Sequence, residues 1–305
     1  MGQGHPRSRV ASRVTAPAPL RDVGAGFTTR QDDGIACTLD GGIATITLDR
    51  PDRRNAMDMP MRAAFARAVT LATEDDQVQA IVLTGRGSHF CAGGDIGAMN
   101  TAVPMGADVG RARMRQVLDA ITLLHQCDKP VLAAVEGCAY GGGFGLALMA
   151  DMVIAADGAR FCMSFARVGL VPDSGAFYAL PRLVGVQRAK YLMWSAQELD
   201  AQHALQWGIA MEVVLKGLAL ERTLQIARAL ATASPAVLAL SKAALNSSLH
   251  SDFRTMAELE ASAQGVAFAT PYHRAAIERF LAKQPPAFQW PTSMPSAEFN
   301  PRRPG

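Results

Sequence analysis

The stretch Lys129-Pro130-Val131-Leu132-Ala133-Ala134-Val135-Glu136-Gly137-Cys138-Ala139-Tyr140-Gly141-Gly142-Gly143-Phe144-Gly145 decides how the chain is read. Pro130 stops any helix arriving from upstream, and the five apolar residues behind it form a strand buried on both faces. The glycines then allow close backbone approach and dihedrals that other residues avoid, and the segment opens a helix. A second unit of this kind lies upstream. Ala80-Ile81-Val82-Leu83-Thr84 is a short apolar strand ended by Gly85-Arg86-Gly87, and Ser88-His89-Phe90-Cys91-Ala92-Gly93-Gly94-Asp95-Ile96 follows it. A helix N-terminus presents free N–H groups and about half a unit of positive charge. Two such elements converging would supply a pair of donors for a developing oxyanion. Two tight turns, or a phosphate cradle, fit the spacing equally well. Neither segment matches G-x-x-x-x-G-K-[ST] or G-x-G-x-x-G, which disfavours nucleotide binding.

Outward from these segments the chain alternates strands and helices. Structure is expected from Gly34: Ile35, Cys37 and Leu39 alternate with other residues, Asp40-Gly41-Gly42 is a turn, and Ile43 to Leu48 is a β-branched strand, together a hairpin. Asp58 reads as an N-cap with Pro60 in the first turn, ahead of a helix burying Met61, Phe65, Val69 and Ala72. A longer helix covers roughly 111–126, and Asp151 to Ala156 is another buried strand. This is an α/β core. From about Gly185 the sequence turns helical and rich in Ala and Leu, with Pro235 opening a helix behind Ser234. The expected units are an N-terminal extension over 1–30, a core over 31–230 and a C-terminal helical region over 231–305.

The 305 residues are 49% apolar and 19% charged, enough for one substantial core. A net charge of +3 without a basic run interleaved with aromatics argues against nucleic acid. No apolar run reaches the roughly 18–20 residues of a membrane span. The five cysteines (Cys37, Cys91, Cys127, Cys138, Cys162) form no C-x-x-C and read as reduced thiols, with no metal site and a cytoplasmic setting. Residues 1–29 carry Arg7, Arg9, Arg13 and Arg21 against one acid, Asp22. This segment reads as a disordered extension, the other reading being a transit peptide.

Taken together, several motifs resemble the crotonase (enoyl-CoA hydratase/isomerase) superfamily. They are Arg50-Pro51, Arg54-Asn55-Ala56-Met57-Asp58, Phe90 to Ile96, Lys129-Pro130-Val131, Gly137 with Gly141-Gly142-Gly143, Asp151, Val168-Gly169-Leu170, Pro172, Leu180 to Gly185 and Gly208. The resemblance covers about 34–290. It implies an α/β fold, the crotonase-like ββα spiral core, with a C-terminal helical trimerisation region that builds a homotrimer or a hexamer. It implies an acyl-CoA thioester substrate, with no separate cofactor because CoA is part of the substrate. It assigns the oxyanion-hole amides to Ala92 and Gly142. It also lines the CoA arm with Arg54, Asn55 and Ala56, and brings Phe280 and Lys283 to the CoA of a neighbouring subunit.

The family's hydratases use two glutamates, and the matching positions here hold Gly145 and Phe165. Adding water needs one group to activate it and another to protonate the α-carbon, which neither residue does. Val171-Pro172-Asp173-Ser174-Gly175 instead offers one carboxylate at a loop position where some family isomerases carry an acid and an aryl-CoA dehalogenase type carries its nucleophile. Asp173 is read as a proton shuttle, the plain alternative being an N-cap for the next helix. The leading expectation is isomerisation of a 3-enoyl-CoA to the 2-enoyl-CoA. The rivals are hydration at a non-standard site, dehalogenase-like hydrolysis and a non-catalytic acyl-CoA-binding homologue. Glu136 is expected to bond backbone, Asp95 to shape its loop, and Cys91 and Cys138 to pack. His89 and Tyr140 belong to no Ser-His-Asp order, and Met57, Met59, Met61 and Met99 are pocket or core.

Overall fold

A computed structural model of the protein describes residues 26–98 and 106–292. The Arg-rich stretch through residue 25, Met99 and the chain from 293 onward lie outside the described residues. In chain order the elements begin with β1 (Arg30–Asp32), β2 (Ile35–Asp40), β3 (Ile43–Leu48), α1 (Met59–Glu74) and β4 (Ala80–Gly85). Then come α2 (Ala107–Gln126), β5 (Val131–Val135), β6 (Cys138–Tyr140), α3 (Gly142–Leu148), β7 (Met152–Ala156) and β8 (Arg160–Cys162). The rest are α4 (Ala176–Ser195), β9 (Glu198–Asp200), α5 (Ala201–Gln206), β10 (Glu212–Val214), α6 (Ala219–Ala231), α7 (Pro235–Ser248), α8 (Phe253–Ala269) and α9 (Pro271–Leu281).

The main sheet runs β1-β2-β3-β4-β5-β7-β10, antiparallel as far as β3 and parallel beyond it. The hairpin β2–β3 turns on Gly41 and Gly42, both at positive φ (55° and 80°), the conformation a two-residue hairpin loop requires. The central parallel strands β4, β5 and β7 are largely apolar because both faces are covered. Ile81, Leu83, Val131, Ala133, Val135 and Val153 face the cluster shared with α1, α2, α3 and α4. The intervening Val82, Leu132, Ala134 and Ile154 face α6, through Ile226, Ala227 and Leu230. A second sheet, β6-β8-β9, starts where β5 and β7 each turn a corner and continue. The corner after β5 is Gly137 at φ 51°, where an added Cβ would lie 2.1 Å from the Ser88 carbonyl oxygen.

Ordered packing starts earlier than Gly34. Phe27 is buried and β1 pairs with β2; Arg30-Gln31-Asp32 has no apolar period, so its pairing at the sheet edge left no trace in the pattern. Asp58 caps α1 as expected, accepting from the Met61 N–H at 3.0 Å. The helix expected over 111–126 begins at Ala107, and the helical C-terminal half is interrupted by β9 and β10. Gly185 breaks α4 with φ 78°, ψ 158°. Helices α7, α8 and α9 contain no buried residue in the single chain. Lys242 of α7 pairs with Asp151 (2.9 Å) and donates to the Lys129 carbonyl (2.9 Å), tying that region to the core.

Candidate active site

The first glycine-rich segment is held against β6 by backbone bonds. The Phe90 N–H donates to Glu136 O, the Cys91 N–H to Cys138 O, and the Tyr140 N–H to Cys91 O. Only glycine tolerates the resulting approach: a Cβ on Gly93 (φ 95°) would sit 2.8 Å from the Tyr140 oxygen and 3.4 Å from the Gly142 nitrogen. The two segments therefore meet, and both line one cavity of about 640 Å³.

Which amides face that cavity differs in part from the sequence reading. The Ala92 N–H is consumed, donating to the Arg54 carbonyl at 2.9 Å. Gly94, two residues on, is flanked by the pair Met57 N–H to Gly93 O (2.8 Å) and Asp95 N–H to Met57 O (3.1 Å). That bridge leaves the Gly94 N–H without an acceptor among the described residues, at the cavity wall. Gly94 thus replaces Ala92 as the candidate donor. Gly142 lines the same cavity. Gly141, at φ 52°, ψ −122°, turns the chain into α3, and the first bond of that helix runs from the Gly145 N–H to Gly141 O. The Gly142 N–H, in the unpaired first turn, has no acceptor among the described residues.

Asp173 reaches the same place from the other side. A Cβ on Gly142 would stand 3.1 Å from Asp173 Oδ1, and Asp173 lines the cavity. The carboxylate caps no helix: α4 starts at Ala176 with Gly175 as its cap, free of any side-chain bond. The turn that presents Asp173 is strained, with Ser174 buried at φ 52°. Ser174 Oγ donates to Asp173 Oδ1 at 3.0 Å. Burial holds the Asp173 carboxyl above the usual carboxylate range, partly offset by the Ser174 bond and by the positive charge of Arg62. Phe165 is buried on the same wall, whereas Tyr178 points away and donates to the Asn246 carbonyl.

Gly145 leaves no room for a catalytic side chain. A Cβ there would lie 2.8 Å from both Asp173 O and Ser174 Cβ. The turn carrying Asp173 occupies the space a side chain at 145 would need.

The expected CoA-binding residues lie outside the cavity of this chain. Asn55 is fully buried; its Oδ1 accepts from the Arg50 N–H and its Nδ2 donates to Arg86 O and His89 O, so its side chain clamps loops. Arg54, at φ 50°, has an exposed side chain, and Ala56 offers its carbonyl to Arg50 Nη1; neither lines the cavity. Phe280, 78% exposed at the end of α9, and Lys283 beyond it lie outside the cavity of this chain. Arg50 pairs with Asp95 (3.2 Å), which keeps Asp95 in its loop-shaping place.

Other candidates are occupied. Glu136 Oε1 accepts from the Gly217 and Ala219 amides. His89 Nδ1 accepts from the Cys138 N–H, and burial lowers its pKa, which suits a neutral ring. The Tyr140 hydroxyl donates to Glu198 at 2.6 Å. Cys91 is sealed in, its thiol pushed up to about 12 by desolvation. Met57 and Met59 line the cavity; Met61 is core. The sequence reading passed over Arg62, on the cavity side of α1 beside the buried Met61 and Phe65, because one cation next to an apolar stripe looks like a solvated helix flank.

A family model described as enoyl-CoA hydratase/isomerase matches residues 38–291. The 1,2-epoxyphenylacetyl-CoA isomerase of Escherichia coli K12 is 37% identical across 83% of this chain and 97% of its own. The enoyl-CoA hydratase/isomerase structure from Cupriavidus metallidurans CH34 superposes with a TM-score of 0.82 at 40% identity, covering 87% of this chain and all of that one. A Thermobifida fusca YX protein solved in complex with CoA superposes at 0.73 with 32% identity, over 78% and 93% of the two chains.

Proposed function

The chain belongs to the enoyl-CoA hydratase/isomerase (crotonase) family, and from that premise we propose that it binds an acyl-CoA thioester and moves the double bond of a 3-enoyl-CoA into conjugation at C2. The thioester oxygen would accept from the Gly94 and Gly142 amides. An unassisted thioester α-proton is too weakly acidic for a carboxylate to remove; each preorganised donor contributes about 2.7–4 kcal/mol toward the enolate in comparable sites. Asp173 takes the proton from C2, the electron pair delocalises through the enolate to C4, and the resulting carboxylic acid returns the proton at C4. A carboxyl raised by burial is the better matched to both steps.

The observation that carries this reading is the Asp173 carboxylate beside Gly142, with a position 145 that has no room for a second acid. Hydration needs two groups, so isomerisation fits better. The isomerase name of the Escherichia coli relative supports the same side, and the CoA held by the Thermobifida fusca structure supports a CoA thioester as the ligand. Apolar residues exposed on α7 to α9, among them Leu245, Leu249, Phe253 and Phe280, support assembly into a trimer or hexamer. The free thiols support a reducing, cytoplasmic setting.

Incubation with 3-hexenoyl-CoA is expected to produce the absorbance of a conjugated thioester, and Asp173→Asn to slow it by at least about 100-fold. An unchanged rate in Asp173→Asn would remove the shuttle.

A further inference from the structure

The cavity wall around α1 carries the apolar residues Met57, Ala63, Phe65, Ala66 and Val117, with Arg62 set among them from the first turn of α1. Two other arginines of this region are matched. Arg50 pairs with Asp58 (2.8 Å) and Asp95, and Arg67 with Asp32 and Asp33. Arg62 makes no ion pair and no side-chain hydrogen bond with any described residue. It does not reach Asp173 as a salt bridge, although each favours the charged form of the other. Arg113 of α2 adds a second positive charge near it. A half-buried guanidinium with five unmatched donors carries a desolvation cost that a carboxylate, gripped by two parallel N–H bonds, would offset.

We infer that Arg62 is a specificity-determining residue that receives a carboxylate on the acyl group, so that the preferred ligand is an acyl-CoA with an anionic far end. A neutral oxygen on the acyl chain would also accept from Arg62. Of the acids nearby, Asp58 is already held by Arg50 and Asp119 is exposed where it lines the cavity, so neither supplies the bidentate partner that the Arg62 guanidinium lacks. The inference rests on the acyl-CoA reading of the cavity but not on turnover.

Binding of saturated thioesters tests it without chemistry. Adipoyl-CoA and hexanoyl-CoA differ only in the terminal carboxylate, and isothermal calorimetry on the full-length protein reads their ratio of dissociation constants. The wild type is expected to bind adipoyl-CoA about tenfold more tightly, the scale of one charge-assisted contact. Arg62→Met should abolish the ratio and Arg62→Lys should keep part of it, with Arg62→Gln as the substitute if the methionine variant is unfolded. Equal affinities in the wild type, or a ratio that survives removal of the guanidinium, overturn the inference. So does an Arg62→Met variant that loses turnover on both chain types while keeping its binding preference, because Arg62 would then act through Asp173. Absence of 3-hexenoyl-CoA isomerisation alongside an intact adipoyl preference would count against the proposed reaction and leave this assignment standing.

Discussion

Asp173 stands where burial makes its charge costly. Burial favours its protonated form, which has one consequence for rate and another for stability. As the proposed base it must be ionised to act, so kcat/KM should rise with pH along a limb whose midpoint lies above the ordinary carboxylate range. For stability, the native state binds the proton more tightly than the unfolded chain does. The contribution of this site is therefore fully present below the unfolded pKa and is lost as pH rises through the raised folded value. Asp173→Asn, which keeps an oxygen for the Ser174 hydroxyl, is expected to melt higher than wild type at neutral pH, with the gain vanishing on acidification toward pH 4. A melting temperature that falls on substitution would contradict this. At this scale the sequence was informative about residue type and poor about residue role. Asp173, Gly142 and the gap at Gly145 could be read from motif positions. Gly94 could not be told from Ala92, because which amide is free depends on the Arg54 carbonyl, 38 positions upstream, and no local pattern reports that pairing.

Elements were legible where they were long or had strong turn chemistry. Gly41-Gly42 marked its hairpin, and β4, β5 and β7 declared themselves as unbroken apolar runs. The three-residue strands β6, β8 and β9 are too short to show a period, and β6 sits inside the segment first read as a glycine turn. Helix α6 carries a feature that no amphipathic pattern would forecast. Its Arg222 is 1% exposed, pairs with Glu212 of β10 at 2.9 Å, and donates to the carbonyls of Thr292 (2.8 Å) and Pro291 (3.4 Å). The guanidinium thus clasps a strand and the returning C-terminal segment at once. Arg222→Ala should cost about 3–5 kcal/mol, since it strands a partly buried carboxylate and two carbonyls. Denaturant unfolding measures the loss, and faster hydrogen exchange near residues 286–292 should accompany it. A change below about 0.5 kcal/mol would mean that water replaces those contacts freely.

Seen whole, the chain buries its apolar residues in two layers about the main sheet and leaves others on the surface. Trp194, Leu245, Leu249, Phe253, Phe280 and Leu281 are all 69% exposed or more, mostly on helices that bury nothing in the single chain. Surface of that kind is ordinarily covered. Light scattering should give a mass near three or six times the 32.3 kDa of one chain, and a monomer at micromolar concentration would refute the assembly. The sequence suggested helices there through its Ala and Leu content, but exposure belongs to the folded chain and is invisible to composition.

The crowding between Gly145 and the Asp173–Ser174 turn has a historical meaning as well. A side chain at 145 and the present Asp173–Ser174 turn compete for one volume, so a glutamate could enter there only if the turn moved. In a fitness landscape that requirement is a valley, and it would keep descendants of this chain committed to a single carboxylate.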